Sequence, residues 1–411
     1  MRSAGEHVCM SVSYLGVANY RRQNLRFGIR QADRLAHLYV IGQTGVGKST
    51  LLGQLAEQDG GARRGFALID PHGDLADALA TRLRQRGIDF TYLDAANPRQ
   101  PYGYNPLRVV RADKVPLAAS GLLETFKKLW PDAWGVRMEH ILRNSLFTLL
   151  EWPDATLPDI LKLYTDKVFR QKAASNVSNP VVRAFWKSEF AHYQPRFAAE
   201  ALAPIQNKLG ALLSDPMLYR VLVEPEIDLR FRSIMDRSQI LLVNLSKGRI
   251  GSDSANTLGG LLVSTLGLAA MSRADLPAER RQPYFMYVDE FQNFTTLAFA
   301  SMMAEMRKFG FGLVLAHQHL HQLEPEIRHA VLGNAGSLIC FRTGVEDASL
   351  FAKELAPAFD PLDIINLPNR RFYTRLMIDG VPSTPFSAEL VEMAHQVAPV
   401  RAASLSAISR P

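Results

Sequence analysis

The chain has 411 residues, 47% of them hydrophobic and 21% charged, with a formal net charge of +7 at pH 7. This composition is typical of a globular protein large enough for a deep core plus one inserted or appended domain. Its two cysteines, Cys9 and Cys340, are too few for a disulfide framework or a cysteine metal cage, and no secretory signal is visible. We therefore expect a cytoplasmic protein. The mild basic excess permits a polyanionic partner without requiring one.

The first segment, residues 1–36, is predicted to hold a short strand from about Val8 to Leu15 and an arginine-rich connector. The connector side chains could contact a phosphate backbone, although a solvated surface is the commoner outcome for such residues. They are Arg21, Arg22, Arg26 and Arg30.

A phosphate-binding loop is predicted directly afterwards. The apolar run 38–41 leads into the spacing G-x-x-x-x-G-K-S, and a helical pattern follows from Leu51. Glycines permit positive φ and leave no Cβ in the way, so backbone N–H groups and the helix N-terminus can face an anion. Lys48 can reach the β- and γ-phosphates of ATP, and Ser49 can ligate Mg²⁺. The predicted nucleotide-binding residues are Gly42, Thr44, Gly45, Val46, Gly47, Lys48, Ser49 and Thr50.

Further apolar runs alternate with helical patterns, which predicts an α/β fold. The first of them ends in Asp70-Pro-His-Gly-Asp74, and the carboxyl ends of parallel strands are where α/β folds bind ligands. A hairpin across Gly380 is predicted to close the sheet. The predicted strands are 65–70, 90–94, 239–244, 284–290, 311–318, 337–342, 371–379 and 381–386.

From about 116 to 236 the hydrophobic period becomes helical. Helices are predicted over 138–150, 157–175, 180–191, 197–213 and 215–223. All four tryptophans fall here, and we expect at least three of them in the core of a helical domain, the alternative being a partner surface. They are Trp130, Trp134, Trp152 and Trp186. The uncharged stretch 254–272 is rich in small and hydroxyl residues and predicts a buried helix, not a membrane span.

A second nucleotide signature is the strand-end pair Asp289 and Glu290. Asp289 would hold Mg²⁺ together with Ser49, and Glu290 would act as general base on the water that attacks the γ-phosphate. Gln318, at the end of the following strand, could sense the γ-phosphate or hold that water. His317, His319 and His321 lack an arranged carboxylate or cysteine, so no metal site is predicted there.

An arginine at the same sheet edge is a candidate for stabilising charge on the transferred phosphoryl group. Arg342 ends the strand 337–342 and could reach the ATP site of a neighbouring subunit. Arg307 is the second candidate, and a surface salt bridge is the alternative for both.

Together these motifs resemble the HerA/FtsK superfamily of DNA-pumping ATPases, and within it the type IV secretion (conjugative) coupling proteins of the TraD/TraG type. The resemblance spans roughly 26–395. It rests on the phosphate loop, the Asp70–Asp74 motif, Tyr287-Val-Asp-Glu-Phe-Gln-Asn-Phe294, Met306-Arg-Lys-Phe-Gly-Phe-Gly312, Trp134-Gly-Val-Arg-Met-Glu139, Val243-Asn-Leu-Ser-Lys-Gly248 and the strand ending in Gln318.

The resemblance implies a RecA-like P-loop NTPase core with a mostly parallel sheet and an inserted all-α domain. It also implies a homo-hexameric ring with ATP sites between subunits and DNA in the central pore, contacted without sequence preference by basic residues such as Lys247 and Arg249. The implied division is an N-terminal strand and connector (1–36), a motor core in two parts (37–115 and 237–396), the all-α domain (116–236) and a loose tail (397–411).

The partner of the helical domain would be a secretion channel, a relaxosome or a nuclease. Coupling proteins usually carry N-terminal membrane helices, and this sequence shows none, so we expect any membrane association to come through partners. Two alternatives stay open. One is a cytosolic HerA-like motor that serves a nuclease or defence complex, and the other is an ATP-switched docking protein that does not pump.

Overall fold

One large sheet organises the computed structural model, which describes residues 12–19, 24–108 and 110–391. Among these residues the sheet has eleven strands, in the order β2-β1-β11-β10-β9-β3-β8-β7-β4-β6-β5. The strands are β1 Val12–Ala18, β2 Leu25–Arg30, β3 Leu38–Ile41, β4 Gly65–Asp70, β5 Thr91–Asp94, β6 Ile240–Asn244, β7 Tyr284–Val288, β8 Phe311–His317, β9 Ser337–Cys340, β10 Arg371–Arg375 and β11 Phe386–Glu389.

The seven strands from β9 to β5 are parallel, and β10, β11, β1 and β2 extend the sheet with antiparallel pairing. The predicted mostly parallel α/β sheet is therefore confirmed. Strand β8 lies between β3 and β7, with His317 opposite Ile41 and Leu315 opposite Val288. Because parallel strands share one direction, the residues that follow β3, β7 and β8 meet at one edge of the sheet.

Helices cover both faces of this sheet. The α-helices of the described residues are α1 Gln31–Arg34, α2 Lys48–Gly61, α3 Asp74–Gln85, α4 Val115–Leu129, α5 Val136–Leu149, α6 Leu157–Thr165, α7 Lys167–Asn176, α8 Pro180–Ala184, α9 Pro195–Ser214, α10 Pro216–Leu222, α11 Phe231–Asp236, α12 Lys247–Ile250, α13 Ser252–Met271, α14 Leu297–Met306, α15 Pro325–Asn334, α16 Val345–Glu354 and α17 Pro361–Ile365.

The two faces of the sheet have separate apolar cores. Side chains alternate along a strand, so Leu38 and Val40 of β3 pack with α2 and α3, whereas Tyr39 and Ile41 point to the opposite face. That second face shares one continuous hydrophobic cluster with α13 and with the helices between 115 and 236. The helical segment is thus joined to the sheet through a common core. Its predicted boundaries stay predictions.

The predicted buried helix is α13. By length and composition, Ser252–Asp275 is the one candidate membrane span among the described helices, and 67% of its apolar window is buried inside the protein. Helix α4 packs along it, with the hydroxyl oxygens of Thr125 and Ser264 2.9 Å apart in the buried interface. Small residues permit this approach, since Gly121 of α4 faces Leu268 of α13.

The predicted arginine-rich connector is partly wrong, because its second half forms strand β2, which pairs with β1. Phe27 and Ile29 are buried and alternate with exposed Arg26 and Arg30, which is the period of a half-buried strand. Arg26 and Arg30 lie at the surface, and Arg30 forms an ion pair with Asp379. Residues Val8 to Ser11, Arg21, Arg22, Cys9 and the tail 397–411 lie outside the described residues.

Two predicted helices are broken, and the closing hairpin differs in its bounds. The helix predicted over 157–175 is interrupted at Asp166, whose carboxylate accepts the N–H groups of Val168 and Phe169 and so starts α7. The helix predicted over 180–191 ends at Ala184 and continues as a π turn (185–189) and a 3₁₀ turn (190–192). Around Gly380, two-residue strands pair, while β10 pairs with β11.

Cys340 lies in the core as predicted, but two of the four tryptophans are buried, fewer than the three that were expected. Trp130 and Trp186 are buried in the cluster of the helical segment, and Trp134 and Trp152 pack against it half-buried. Trp186 donates from Nε1 to Thr148 Oγ1 at 2.7 Å, which satisfies its polar atom inside the core. Cys340 is a fully buried residue of β9.

Candidate nucleotide-binding site

The glycine-rich loop adopts backbone conformations that suit glycine. Gly45 and Gly47 have φ values of 79° and 121°. A Cβ on Gly42 would lie only 2.6 Å from the Phe341 Cβ. The helix α2 starts at Lys48, and the N–H groups of its first turn have no acceptor within the helix. The loop therefore presents backbone donors and a helix N-terminus at the carboxyl edge of the sheet, which is suited to a phosphate group.

Lys48 is a buried cation inside this loop, with 6% of its surface exposed. Its ammonium donates hydrogen bonds to the carbonyl oxygens of Gly42, at 2.6 Å, and Gln43, at 2.9 Å. Burial lowers the pKa of Lys48, whereas the nearby Asp289 and Glu290 carboxylates raise it. A buried ammonium that is bonded to neutral carbonyl groups is well matched to an anionic ligand.

Ser49 and Asp289 connect the loop to the end of β7. The Ser49 hydroxyl donates to Asp289 Oδ2 at 3.0 Å, and Asp289 is 8% exposed. Burial raises the pKa of the Asp289 carboxyl and the charge of Asp70 raises it further, while Ser49 and Lys48 lower it. A hydroxyl and a carboxylate at one point form a set of hard oxygen ligands of the kind that Mg²⁺ prefers.

Asp70 has a structural contact of its own at this edge. Its carboxylate accepts the N–H groups of His72 at 3.0 Å and Ala76 at 2.9 Å. These bonds fix the turn after β4 and the start of α3. Asp70 therefore acts on the site mainly through its charge and through the position of His72.

Glu290 lies in the left-handed region, with φ 47° and ψ 47°, which is uncommon for a residue with a side chain. Its backbone N–H donates to Asp289 Oδ1 at 3.0 Å. The carboxylate is held at three points. Gln318 Nε2 donates to Oε1 at 2.8 Å, His72 Nε2 lies 3.2 Å from Oε1, and Asn293 Nδ2 lies 3.4 Å from Oε2. The predicted base is thus fixed by side chains from three separate segments.

Gln318 bridges the loop to this carboxylate. Its Oε1 accepts a hydrogen bond from the Thr44 hydroxyl at 2.9 Å, while its Nε2 donates to Glu290. The bridge exists because β8, which ends at His317, lies between the strand before the loop and the strand before Glu290. The structure thus brings together the predicted residues Thr44, Gln318 and Glu290.

His317 supports this bridge from the core. It is fully buried, and its Nδ1 lies 3.2 Å from the Tyr39 hydroxyl, with the Phe291 ring centroid 4.8 Å from its own. Burial lowers the pKa of His317 to about 3, so the ring is neutral. His319 pairs with Asp347 and His321 with Glu346. Groups of three or more metal-ligating side chains are absent from the described part of the chain.

Arg342 lies beside the loop of its own chain. Its guanidinium donates to Gln43 Oε1 at 3.3 Å, to the Leu367 carbonyl at 3.1 Å and to Asn369 Oδ1 at 2.8 Å. All three nitrogen atoms are therefore engaged within the chain. Action on a neighbouring subunit stays a prediction for Arg342.

The other predicted basic residues lie at different points. Arg307 is exposed in the turn before β8, at the opposite end of that strand from Gln318. Lys247 and Arg249 lie in α12, after the carboxyl end of β6, and the Arg249 guanidinium is 3.9 Å from the Asp94 carboxylate. Their contact with DNA stays a prediction.

His72 is the site residue that sequence analysis did not assign a role. The sequence did point to His72, because this residue lies within the motif Asp70–Asp74 at the end of a predicted strand. The motif alone does not say which carboxylate the imidazole meets, and the pairing with Glu290 depends on the neighbouring positions of β4 and β7.

A parallel sheet with a glycine-rich phosphate loop, a strand-end Asp-Glu pair and an intervening strand defines the class of RecA-like P-loop NTPase folds. Several solved structures are similar over most of the chain. The bacterial conjugative coupling protein TrwBdeltaN70, in an unbound monoclinic form, has a TM-score of 0.63 at 18% identity and covers 89% of this chain and 87% of its own. TrwB in complex with ADP and Mg²⁺ has a TM-score of 0.63 at 19% identity, with coverages of 95% and 93%.

VirB4 of Thermoanaerobacter pseudethanolicus has a TM-score of 0.62 at 14% identity and covers 93% of this chain and 96% of its own. No protein-family model and no curated protein sequence matches the chain. At these identities the likeness establishes the fold. The predicted RecA-like core with an all-α segment is confirmed, and the resemblance to type IV secretion ATPases is confirmed at the level of the fold.

Proposed function

We propose that the chain is an ATP-hydrolysing motor of a conjugative or type IV secretion system that moves DNA as a homo-hexameric ring. One observation carries this proposal. The Thr44–Gln318–Glu290 series of hydrogen bonds joins the phosphate loop to a fixed carboxylate, beside the Ser49–Asp289 contact. That arrangement suits cleavage of a γ-phosphate, which needs a bound anion, a metal and an oriented water.

The residues of the site fit ATP and Mg²⁺. The buried Lys48 ammonium bonds to neutral carbonyl oxygens and can turn from them to phosphate oxygens. Asp70 and Asp289 bring two negative charges together in a buried position, which a divalent cation would offset. TrwB has been solved with ADP and Mg²⁺ and with the ATP analogue ADPNP, which supports the same ligands here.

Each residue has a distinct task in the proposed reaction. The N–H groups of residues 44–50 and Lys48 bind the phosphates. Ser49 and Asp289 hold the metal, which when bound offsets charge on the phosphate oxygens. Glu290 accepts a proton from the attacking water, and Gln318 holds that water. The hydrogen bond between Thr44 and Gln318 Oε1 connects this water position to the phosphate loop. Arg342 adds positive charge beside Gln43.

The proposed cargo and assembly rest on the likeness to TrwB and on the charge of the chain. TrwB is a plasmid coupling protein, and this chain carries a formal net charge of +7, which permits a polyanionic partner. Lys247 and Arg249 are the proposed DNA contacts. Arg307, exposed at the opposite end of β8 from Gln318, is the residue we propose to reach a neighbouring ATP site. The helical segment 116–236 is the proposed partner surface.

The test measures ATP hydrolysis with and without single- and double-stranded DNA, alongside the oligomer mass. We expect hydrolysis that DNA stimulates and that weakens as salt rises, together with a hexamer mass. Lys48→Ala should abolish hydrolysis because it removes the buried phosphate-binding charge. Glu290→Gln should retain ATP binding and lose cleavage, because the amide cannot accept the proton of the water.

Other outcomes point to the alternatives. Slow turnover that DNA does not change would contradict pumping and favour an ATP-switched docking protein. A stable complex with a nuclease in pull-downs would favour a HerA-like motor. Full activity of Lys48→Ala would contradict the assignment of the site itself.

A further inference from the structure

Lys128 connects the helical segment to the turn that follows Glu290. It lies in the last turn of α4, and its ammonium donates to the carbonyl oxygens of Gln292, at 2.8 Å, and of Thr295. The sequence separations are 164 and 167 residues. Helix α4 leads directly into the helices between 136 and 222. A single side chain therefore bridges that segment and the strand end that carries the proposed base.

The turn 290–295 is fixed at two other points by aromatic rings. Phe291 is 1% exposed and lies edge-on to the rings of Tyr39 and His317. Phe294 occupies space that Gly259 of α13 leaves open, since a Cβ there would lie 2.3 Å from the Phe294 Cε1. The ring contacts anchor the turn in the core, and Lys128 is its polar attachment to α4.

The Glu290 carboxylate is in direct contact with this turn. Asn293, between the two carbonyl groups that bind Lys128, has its Nδ2 3.4 Å from Glu290 Oε2. The Thr295 hydroxyl donates to the Phe291 carbonyl at 2.7 Å and closes the turn on itself. A shift of the bonded carbonyl groups would therefore move Asn293 and, with it, one of the contacts that hold the carboxylate.

Lys128 is not an ordinary surface lysine. The neighbouring Lys127 is exposed, whereas Lys128 is half-buried and its ammonium bonds to uncharged carbonyl groups. Burial lowers the pKa of Lys128 to about 8, and the charge of Glu324, which precedes α15, raises it. A partly desolvated cation is costly unless strong hydrogen bonds compensate it, so the two carbonyl contacts are a substantial part of the local structure.

We propose that Lys128 is a positioning residue for Glu290, which fixes the turn 290–295 and transmits displacement of the helical segment to the base. This inference rests on the proposed ATPase function. It assigns the helical segment a direct mechanical connection to the chemical step. Binding of a partner or of cargo on that segment would thereby alter the rate of hydrolysis without touching the phosphate loop.

The experiment compares Lys128→Met, which keeps the length of the side chain but not its donors, with Lys128→Arg, which keeps charge and donors. Lys127→Met is the matched exposed control. We expect Lys128→Met to lower kcat about tenfold, because it removes two hydrogen bonds from a charged donor, with the Kd for a fluorescent ATP analogue within about twofold of wild type. Lys128→Arg and Lys127→Met should stay close to wild type. A Lys128→Met kcat equal to that of Lys127→Met would overturn the inference, as would a loss confined to affinity.

A pH profile tests the same role should Lys128→Met fail to fold. The wild-type kcat should decline as pH rises through about 8, when the ammonium loses its proton, whereas Lys128→Arg should stay level because its guanidinium remains charged. The charged group that faces the ammonium is Glu324. Identical profiles would overturn the inference alone, while a wild-type chain that binds but does not cleave ATP would contradict the proposed function.

Discussion

Arg34 and Asp59 form a bidentate ion pair that is closed to solvent, with Nη1–Oδ1 and Nη2–Oδ2 distances of 2.8 and 2.9 Å. The Tyr287 hydroxyl joins the same pair, and it comes from β7, two residues before Asp289. Asp59 lies near the end of the helix that starts with Lys48. The ion pair and the Tyr287 hydroxyl therefore hold together α2 and β7, the two elements that meet at the nucleotide site.

Asp59→Asn should lower the free energy of unfolding by about 3–5 kcal/mol, because it leaves the Arg34 guanidinium buried without its counter-charge. Urea denaturation measures the change. Glu57→Gln is the matched control on the same helix, since Glu57 pairs at 3.3 and 3.4 Å with the half-exposed Arg82 and Arg86. Such pairs contribute less than about 1 kcal/mol. Equal losses in the two variants would contradict the special role of the buried pair.

The same pair predicts a pH dependence of stability. Burial raises the pKa of Asp59, but Arg34 and then Arg64 lower it more, so its pKa in the folded chain lies below the usual value. The stabilisation is complete above the unfolded pKa of about 4 and is lost as pH falls through the lower, folded pKa. The urea midpoint should thus fall on acidification below pH 4 in wild type more steeply than in Asp59→Asn. An equal fall of the urea midpoint with pH in wild type and in Asp59→Asn would contradict this prediction.

Gln318→Ala removes both hydrogen bonds that join the loop to Glu290. At about 1 kcal/mol for each bond, kcat should fall roughly tenfold or more while ATP affinity changes little. Steady-state kinetics and nucleotide titration separate the two quantities. Gln322→Ala, an exposed glutamine on the same connection, should behave as wild type. A variant with normal kcat and weakened ATP binding would show that Gln318 shapes the loop only.

Subunit mixing separates the two candidate arginines. Inactive Arg307→Ala chains mixed with inactive Glu290→Gln chains should recover part of the activity, because some interfaces then combine an intact arginine with an intact base. Arg342→Ala chains should not recover on mixing, since the Arg342 contacts with Gln43, Leu367 and Asn369 hold it to its own loop. Recovery with Arg342→Ala would support the action across subunits that the sequence predicts.

Gly259→Ala tests the close approach of α13 to the turn after Glu290. The added Cβ would lie 2.3 Å from the Phe294 ring, so the ring or the helix must shift, at a cost of about 1–3 kcal/mol in unfolding free energy. Gly210→Ala is the matched control within α9, where no atom lies within 4 Å of the added Cβ. That variant should gain roughly 0.5–1 kcal/mol from its higher helix propensity. Chemical denaturation compares them, and a neutral Gly259→Ala would contradict the tight packing.

The central strands were predictable because parallel strands buried on both faces appear as continuous apolar runs. The runs 65–70 and 284–288 are of this kind, and every residue in them is buried. Strand β2 was not predicted although its apolar residues alternate with Arg26, Gly28 and Arg30, because the run is short and arginine-rich and its burial depends on pairing with β1. The full burial of Arg34 depends likewise on Asp59, a partner that no local pattern reveals.

The phosphate loop and the Asp289–Glu290 pair were predictable because their chemistry is local in sequence. The contact of His72 with Glu290 and that of Lys128 with the turn after Glu290 were not, since both residues come from distant segments that only the completed sheet and the packing of α4 bring near. The contacts of Arg342 within its own chain were missed for the same reason, because Leu367 and Asn369 lie in a later connection.

The sheet, α13 and the helices between 115 and 236 share one apolar cluster. This cluster limits the kinds of variant that can test the role of those helices. Removing them would strip one face of the sheet and expose α13 to water, and the remnant would aggregate for reasons unrelated to its function. Point changes on the outer surface avoid this outcome. Val136, Val181 and Val168 are 88%, 74% and 62% exposed, so charged replacements there can interrupt a partner contact while the interior stays packed.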